Sequence, residues 1–315
     1  MLNELKIFSG RAHPELAREI CSVLQVEIGR SEIIKFTNDN SFVRIYESVR
    51  EADVYVVQPS CEPVNDGIVE LLIMVDALRR ASVKRITAVL PYFPYGRSDK
   101  KDQPRISITA RLMADLLEVA GVDRVLSVDL HAPQIQGFFK IPVDHLTAIP
   151  IFAAYFQEKN LSDLVIVAPD AGRAKMARQY ARRLNCPMAI IDKRRVANEE
   201  KVVMESVMGD VEGKRCLLVD DEISSGASIV AAANTLEKFG AAEIYAAITH
   251  PILSGMAPQR IASSPIKELV VTNSVPVPEE KRNGKIKVLS IAPLLGEAIW
   301  CIHNGVSVSK VFEKE

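Results

Sequence analysis

Short apolar runs alternate with amphipathic stretches along most of the chain. The runs at Lys6–Ser9, Val54–Gln58, Arg85–Leu90, Val125–Leu130, Leu164–Ala168, Met188–Ile191 and Cys216–Val219 are mainly apolar, with polar residues chiefly at their ends. That is the pattern of strands covered on both faces. Between them, Pro14–Leu24, Ile68–Arg80, Ile149–Gln157 and Ala174–Leu184 place apolar residues at helical spacing, as at Ile68, Leu71, Leu72, Val75 and Leu78. Pro14 opens its helix where the missing N–H costs nothing, and Gly121 and Gly240 stop theirs. Glu32–Phe36 and Ser41–Tyr46 read as a hairpin around Thr37-Asn38-Asp39-Asn40. Val202–Met208, Glu243–Thr249, Glu268–Asn273 and Ile286–Ser290 complete the strands, and Leu294–Ile302 reads as a last helix. Strands alternating with helices predict an α/β fold, with mainly parallel sheets flanked by helices. The strand–loop–helix–strand layout recurs in both halves, which predicts two similar domains, 1–147 and 148–315.

One apolar run is succeeded by an unusual polar stretch. After Cys216-Leu-Leu-Val219 come Asp220 and Asp221, then Glu222, Ile223 and the turn Ser224-Ser225-Gly226-Ala227-Ser228, then a helical pattern. A strand, an acidic pair, a hydroxyl-rich turn and a helix start place backbone N–H groups around a phosphate. The carboxylates beside it can accept hydrogen bonds from sugar hydroxyls. Three more polar clusters fall at strand ends: Asp129-Leu130-His131, Asp170-Ala171-Gly172 and Lys193-Arg194-Arg195. Ligands of open α/β sheets bind beyond the carboxyl ends of the strands. Asp129, His131 and Asp170 suit Mg²⁺, which takes few protein ligands. Lys193 and Arg195 suit neutralisation of a transferring phosphoryl group. Tyr92–Arg105 is a long loop dense in charge, with Ser107 expected to cap the helix after it.

Composition narrows this further. The chain has 315 residues, a formal net charge of -1 and 48% hydrophobic residues, so no basic field recruits nucleic acid and no apolar run spans a bilayer. Five scattered cysteines without a C-x-x-C read as reduced thiols, and the expected compartment is cytoplasmic. There is no G-x-x-x-x-G-K-[ST], no G-x-G-x-x-G and no G-x-S-x-G.

Several stretches together resemble class I ribose-phosphate diphosphokinase, the PRPP synthetases. They are Val128–Phe139, Phe93–Lys101, Ala168–Gly172, Asp192–Arg195 and Asp220–Ser228, and the likeness covers essentially the whole chain. The resemblance implies two type I phosphoribosyltransferase-like domains, dimers that build a hexamer, and Mg²⁺-dependent transfer of the diphosphoryl group of ATP to the C1 hydroxyl of ribose 5-phosphate. By it, Ser224, Ser225, Gly226, Ala227 and Ser228 hold the 5-phosphate, while Asp220 and Asp221 hold the ribose hydroxyls. Asp170, Ala171, Gly172 and Arg173 form the diphosphate loop, with Asp170 a Mg²⁺ ligand; His131 and Asp129 serve the MgATP side. Arg97, Ser98, Asp99 and Lys100 contact ATP, with Phe36, Asn38 and Asn40 of a neighbouring subunit at the adenine. Lys193 and Arg195 lie on a flexible catalytic loop. The chain departs from the family at Ser224, Ala227, Ser98, Asn40 and Arg173. Arg173 stands where a glycine is usual, a bulky cation expected to crowd the approach to diphosphate. Two other readings stay open: a non-catalytic or regulatory subunit of this kind, and a type I phosphoribosyltransferase.

Overall fold

The computed structural model describes residues 4–195 and 203–311. The chain divides into two compact units. The first comprises Met1–Thr147, Ser274–Pro276 and Ser290–Glu315; the second comprises Ala148–Asn273 and Val277–Leu289.

The first unit runs β1 (Leu5–Ser9), α1 (Pro14–Leu24), β2 (Ser31–Lys35), β3 (Ser41–Ile45), β4 (Asp53–Val57), α2 (Val64–Arg80), β5 (Arg85–Leu90), α3 (Thr109–Ala120), β6 (Arg124–Val128) and β7 (Val143–Leu146). Its main sheet is parallel, in the order β1-β4-β5-β6-β7, and β2 and β3 form a separate antiparallel pair. Val54, Val56, Ile86 and Ala88 are buried in one cluster with Leu71, Met74, Val75 and Leu78 of α2. Full burial of side chains such as Met74 and Leu78 contributes about 1.5–3 kcal/mol each, which is why the apolar stripe of α2 fixes that helix. The helix begins a turn earlier than its periodicity predicts. Ser107 does not cap α3: Ile108 occupies the cap position without a side-chain hydrogen bond, and Ser107 Oγ pairs with Thr109 Oγ1 at 2.6 Å instead.

The second unit runs α4 (Ile149–Lys159), β8 (Leu164–Ala168), α5 (Ala174–Leu184), β9 (Met188–Arg195), β10 (Val203–Met208), β11 (Arg215–Ile223), α6 (Ala227–Lys238), β12 (Glu243–Pro251), α7 (Ala257–Ala262), β13 (Ile266–Thr272) and β14 (Ile286–Leu289). Its sheet order is β10-β9-β8-β11-β12-β13-β14, parallel except for β10 against β9. From β8 the chain adds β9 and β10 on one side, then crosses to place β11 on the other. The order therefore reverses between β8 and β11, where an α/β sheet opens a crevice for ligand. The first sheet adds its strands in one direction from β1 to β7 and has no such reversal.

The expected boundary at 147 coincides with the first break, but the expectation that 148–315 is one domain is corrected. The last helix, α8 (Ala292–His303), belongs to the first unit. It lies against α1 closely enough that a Cβ on Gly296 would sit 2.7 Å from Val23 Cγ1. His303 Nδ1 meets Asp53 Oδ2 at 2.8 Å, and Arg85 Nη2 donates to Ile302 O at 3.3 Å. α8 thus packs on α1 and is pinned at its end by Asp53 of β4 and Arg85 of β5.

Candidate functional site

In the second unit the crevice is built by two loops. Pairing of β11 with β8 ends at Leu218 opposite Val167, and β8 stops at Ala168. The chain then turns through Pro169–Arg173, beside the free flank of β11. The acidic pair was expected to follow its strand, but the strand continues through it to Ile223. The long neighbour β12 supplies the ladder, with Asp220 opposite Ile248 and Glu222 opposite His250.

Arg173 closes on this pair. Its Nε lies 2.7 Å from Asp220 Oδ1 and its Nη2 2.6 Å from Asp221 Oδ1. The side chain expected to crowd the diphosphate loop turns to the acids, whose charges outweigh the cost of burying its guanidinium. Asp170 is exposed, and its Oδ1 accepts the N–H of Arg173 at 3.2 Å, which holds the turn Ala171–Arg173. Burial pushes the Asp220 carboxyl up to about 7, with the Arg173 charge pulling it down and Asp221 adding to the rise. Asp221 is the more enclosed of the two, with 1% of its side chain accessible.

Beyond β11, Ser224–Ser228 turns into α6. Gly226 has φ +74° at the helix cap, and a Cβ there would meet Ala257 only at 3.6 Å, so backbone conformation rather than space calls for glycine. Ser225, Ala227 and Ser228 are exposed, and the Ala227 N–H at the opening of α6 donates to Ser225 Oγ at 3.5 Å. Two residues not singled out in the sequence brace this turn. Ser254 N–H donates to Ser224 O at 3.1 Å with the two hydroxyl oxygens 3.0 Å apart, and Arg260 Nη1 donates to Ser225 O at 2.8 Å. Both come after β12, and the only hint in the sequence is the turn-rich Ser254-Gly255 at that strand's end.

The backbone of Lys193–Arg195 corrects a further expectation. These residues continue β9 as strand, with Lys193 opposite Glu205 and Arg195 opposite Val203. The last rung with β8 is Ala168 with Ile190. Beyond it β9 and β10 run on as a two-stranded ribbon, carrying Lys193 about 10 Å past the edge of β8. The side chains of 193–195 lie outside the described residues.

In the first unit, Asp129 and His131 come just after β6. Asp129 has φ +39° and is buried. His145, also not anticipated, accepts the Leu130 N–H through Nε2 at 2.9 Å and fixes this turn. The loop after β5 folds against it, so that a Cβ on Gly96 would lie 3.6 Å from His131 Cβ. Arg97 and Lys100 are exposed, Ser98 and Asp99 partly so, and the Ser98 carbonyl accepts the N–H of Ala110 at 3.1 Å. Phe36, Asn38 and Asn40 are exposed at the β2–β3 tip, where Asn40 N–H donates to Asn38 Oδ1 at 3.3 Å. Phe36 packs only on Phe42 among described rings, at 5.8 Å between centroids. Tip and loop are tied to the same turn of α2: Lys35 Nζ reaches Asp66 Oδ2 at 2.6 Å, and Tyr95 Oη donates to Asn65 Oδ1 at 2.6 Å.

An acidic pair and a strand–turn–helix cradle at a sheet's switch point define an α/β enzyme for phosphorylated sugars or nucleotides. Comparison with known proteins narrows that class. Residues 5–121 match the N-terminal domain of ribose phosphate pyrophosphokinase, and residues 194–313 match the phosphoribosyl synthetase-associated domain. The chain is 52% identical to a ribose-phosphate pyrophosphokinase of Clostridium acetobutylicum over 99% of its own length and 98% of that protein's. It is also 52% identical to the one of Bacillus subtilis, over 98% and 97% of the two chains. The crystal structure of phosphoribosylpyrophosphate synthetase from Mycobacterium smegmatis superposes with a TM-score of 0.91 at 45% identity, covering 96% of this chain and 100% of that one. The chain belongs to the ribose-phosphate pyrophosphokinase family.

Proposed function

We propose that this chain transfers the diphosphoryl group of ATP to the C1 hydroxyl of ribose 5-phosphate, giving PRPP and AMP. The observation that carries the reading is the crevice at the β8–β11 reversal, where the acidic pair and the opening of α6 sit at the end of one strand. The turn Ser224–Ser228 holds the 5-phosphate on backbone N–H groups and serine hydroxyls. Asp220 and Asp221 accept hydrogen bonds from the ribose hydroxyls, which leaves C1 directed toward the Asp170–Gly172 turn. Arg97, Ser98, Asp99, Lys100 and His131 line the ATP side, with Phe36, Asn38 and Asn40 from a second subunit at the adenine. The C1 oxygen bonds to the β-phosphorus as the bond to the α–β bridging oxygen breaks, and AMP leaves. Alignment and charge neutralisation do most of the work in such a transfer. Lys193 and Arg195 meet the charge that develops on the moving group.

The residues fit Mg²⁺. Asp170 is exposed and offers a carboxylate steadied by one N–H, a hard oxygen donor of the kind this ion prefers. Asp170 would hold such an ion beside the sugar's C1, and Asp129 and His131 would serve one on the MgATP side. When bound, Mg²⁺ neutralises phosphate oxygens and orients them. Self-association fits the exposed stripe Leu112, Leu116 and Val119 on α3. No helix among the described residues is long and apolar enough to cross a membrane; the five free cysteines suit a reducing, cytoplasmic setting.

Purified chain incubated with MgCl₂, ATP and ribose 5-phosphate is expected to release AMP and PRPP in equal amounts. Release of ADP in place of AMP, or no AMP above background, would overturn the reading. Gly226→Ala forces a Cβ into a left-handed conformation at a strain of about 1–2 kcal/mol. It is expected to raise KM for ribose 5-phosphate while leaving KM for ATP unchanged, which initial-rate kinetics would check.

A further inference from the structure

Arg260 holds the turn before α6 by its backbone. It stands on α7, on the same short helix as Ala257, the nearest neighbour to a Cβ built on Gly226. Its Nη1 donates to the Ser225 carbonyl at 2.8 Å, and the N–H of Ser254, just before α7, donates to the Ser224 carbonyl at 3.1 Å. Two consecutive carbonyls are thus drawn toward one segment, Ser254–Arg260. In a trans peptide the N–H points opposite to the C=O of the same unit. The N–H groups of Ser225 and Gly226 therefore face away from α7. Among the described residues neither has a hydrogen-bond partner, although Gly226 is buried. A buried donor left in this way is costly unless a ligand takes it up, and an anion in the turn does so.

The bond from Arg260 selects between two turns. Gly226 has φ +74° and ψ −4°, the angles of the third residue in a type II turn. Rotating the Ser225–Gly226 peptide by about half a turn gives type I, which most residues accept, glycine included. That rotation would carry the Ser225 carbonyl to the phosphate side, oxygen against anion, and the Gly226 N–H to the α7 side. Glycine leaves both states open, and the guanidinium on the carbonyl closes one of them. A hydrogen bond from a charged donor biases such a pair of states by about tenfold or more.

We propose that Arg260 is a positioning residue: by holding the Ser225 carbonyl it fixes the peptide that presents the Gly226 N–H to the phosphate of ribose 5-phosphate. This rests on the reading of Ser224–Ser228 as the phosphate cradle. The guanidinium acts through the backbone, since the carbonyl it binds and the N–H it orients lie on opposite sides of one peptide.

The test is initial-rate kinetics and calorimetric titration of the full chain with ribose 5-phosphate, in the parent, Arg260→Met, Arg260→Lys, Gly226→Ala and the double variant Arg260→Met/Gly226→Ala. Arg260→Met is expected to weaken ribose 5-phosphate binding by about tenfold and to raise its KM alike, with kcat and the KM for ATP within about twofold of the parent. Arg260→Lys keeps a charged donor on a flexible stem and is expected to lose about threefold, which carries the comparison if Arg260→Met does not melt cooperatively. The double variant decides the mechanism. Gly226→Ala already disfavours the left-handed angles, so removing Arg260 as well is expected to add no more than about twofold. Effects that multiply would show that Arg260 acts by its charge alone and would overturn the proposal. So would Arg260 variants that bind ribose 5-phosphate as the parent does, which sinks only the role of Arg260. A parent that binds no ribose 5-phosphate sinks the site reading along with it.

Discussion

Lys193→Ala is expected to lower kcat by about 10²–10³ while the KM values for ATP and ribose 5-phosphate change little. The position of its backbone supports this. β9 leaves the sheet at Ile190 and travels on with β10 as its partner, so Lys193 is held by a ladder beyond the strand edge where the ligand loops gather. The ribose 5-phosphate contacts proposed for the crevice come from other elements, namely the ends of β8 and β11 and the start of α6. On the proposed reading, removing the ammonium takes charge from the transfer step and leaves the sugar's contacts in place. Steady-state kinetics with both substrates varied would separate the two. A rise in KM for ribose 5-phosphate as large as the fall in kcat would place Lys193 among the sugar's binding groups instead.

Asp53→Ala is expected to destabilise the first unit by about 3–5 kcal/mol, because it leaves a guanidinium without its carboxylate. Asp53 accepts from Arg85 Nε at 2.8 Å and from Arg85 Nη2 at 2.6 Å, meets His303 Nδ1 at 2.8 Å and accepts from Tyr55 Oη at 3.2 Å. Its side chain is 4% accessible. For a unit of this size the fall in Tm is on the order of 10 °C. Burial alone would raise this carboxyl; the hydrogen bonds and charges of Arg85 and His303 outweigh it and hold the group below its ordinary value. A carboxyl depressed on folding stabilises above its unfolded pKa and loses that contribution as pH falls through the folded one. The Tm difference between parent and Asp53→Ala should therefore hold from pH 7 down to about 5 and narrow only below about pH 4. A difference that is already closing at pH 6 would show that the carboxylate is not the group responsible.

The secondary structure was legible where the pattern of side chains is decided locally. β8 is an unbroken apolar run, and α1 and α5 carry a stripe with clear ends. β7 escaped because Asp144 and His145 interrupt a strand of four residues at the sheet's edge. α7 escaped because six residues opening Ala-Pro-Gln-Arg show less than two turns of periodicity. The chemical residues were legible by type, since acids, hydroxyls and glycine after a buried strand have few other uses. Their arrangement was not. Whether Asp220 ends a strand or lies within one depends on β12 running alongside to Pro251. Where Arg173 points depends on Asp220 and Asp221, which lie far along the chain, and only the reversal of strand order makes them neighbours.

The return of α8 to the first unit bears on how the chain emerges from the ribosome. Domains form as units during synthesis, and earlier segments ordinarily form first. Here the segment Ala148–Asn273 with Val277–Leu289 is complete before Ser290 onward has been made. The partners of His303 and Gly296, at Asp53 and Val23, are among the earliest residues to leave the tunnel and the last to be satisfied. The half of the protein that is translated first thus waits for Ser290 onward before α8 can pack on α1 and meet Asp53. Removal of α8 is therefore expected to destabilise the N-terminal unit, which a lower Tm of that unit would show.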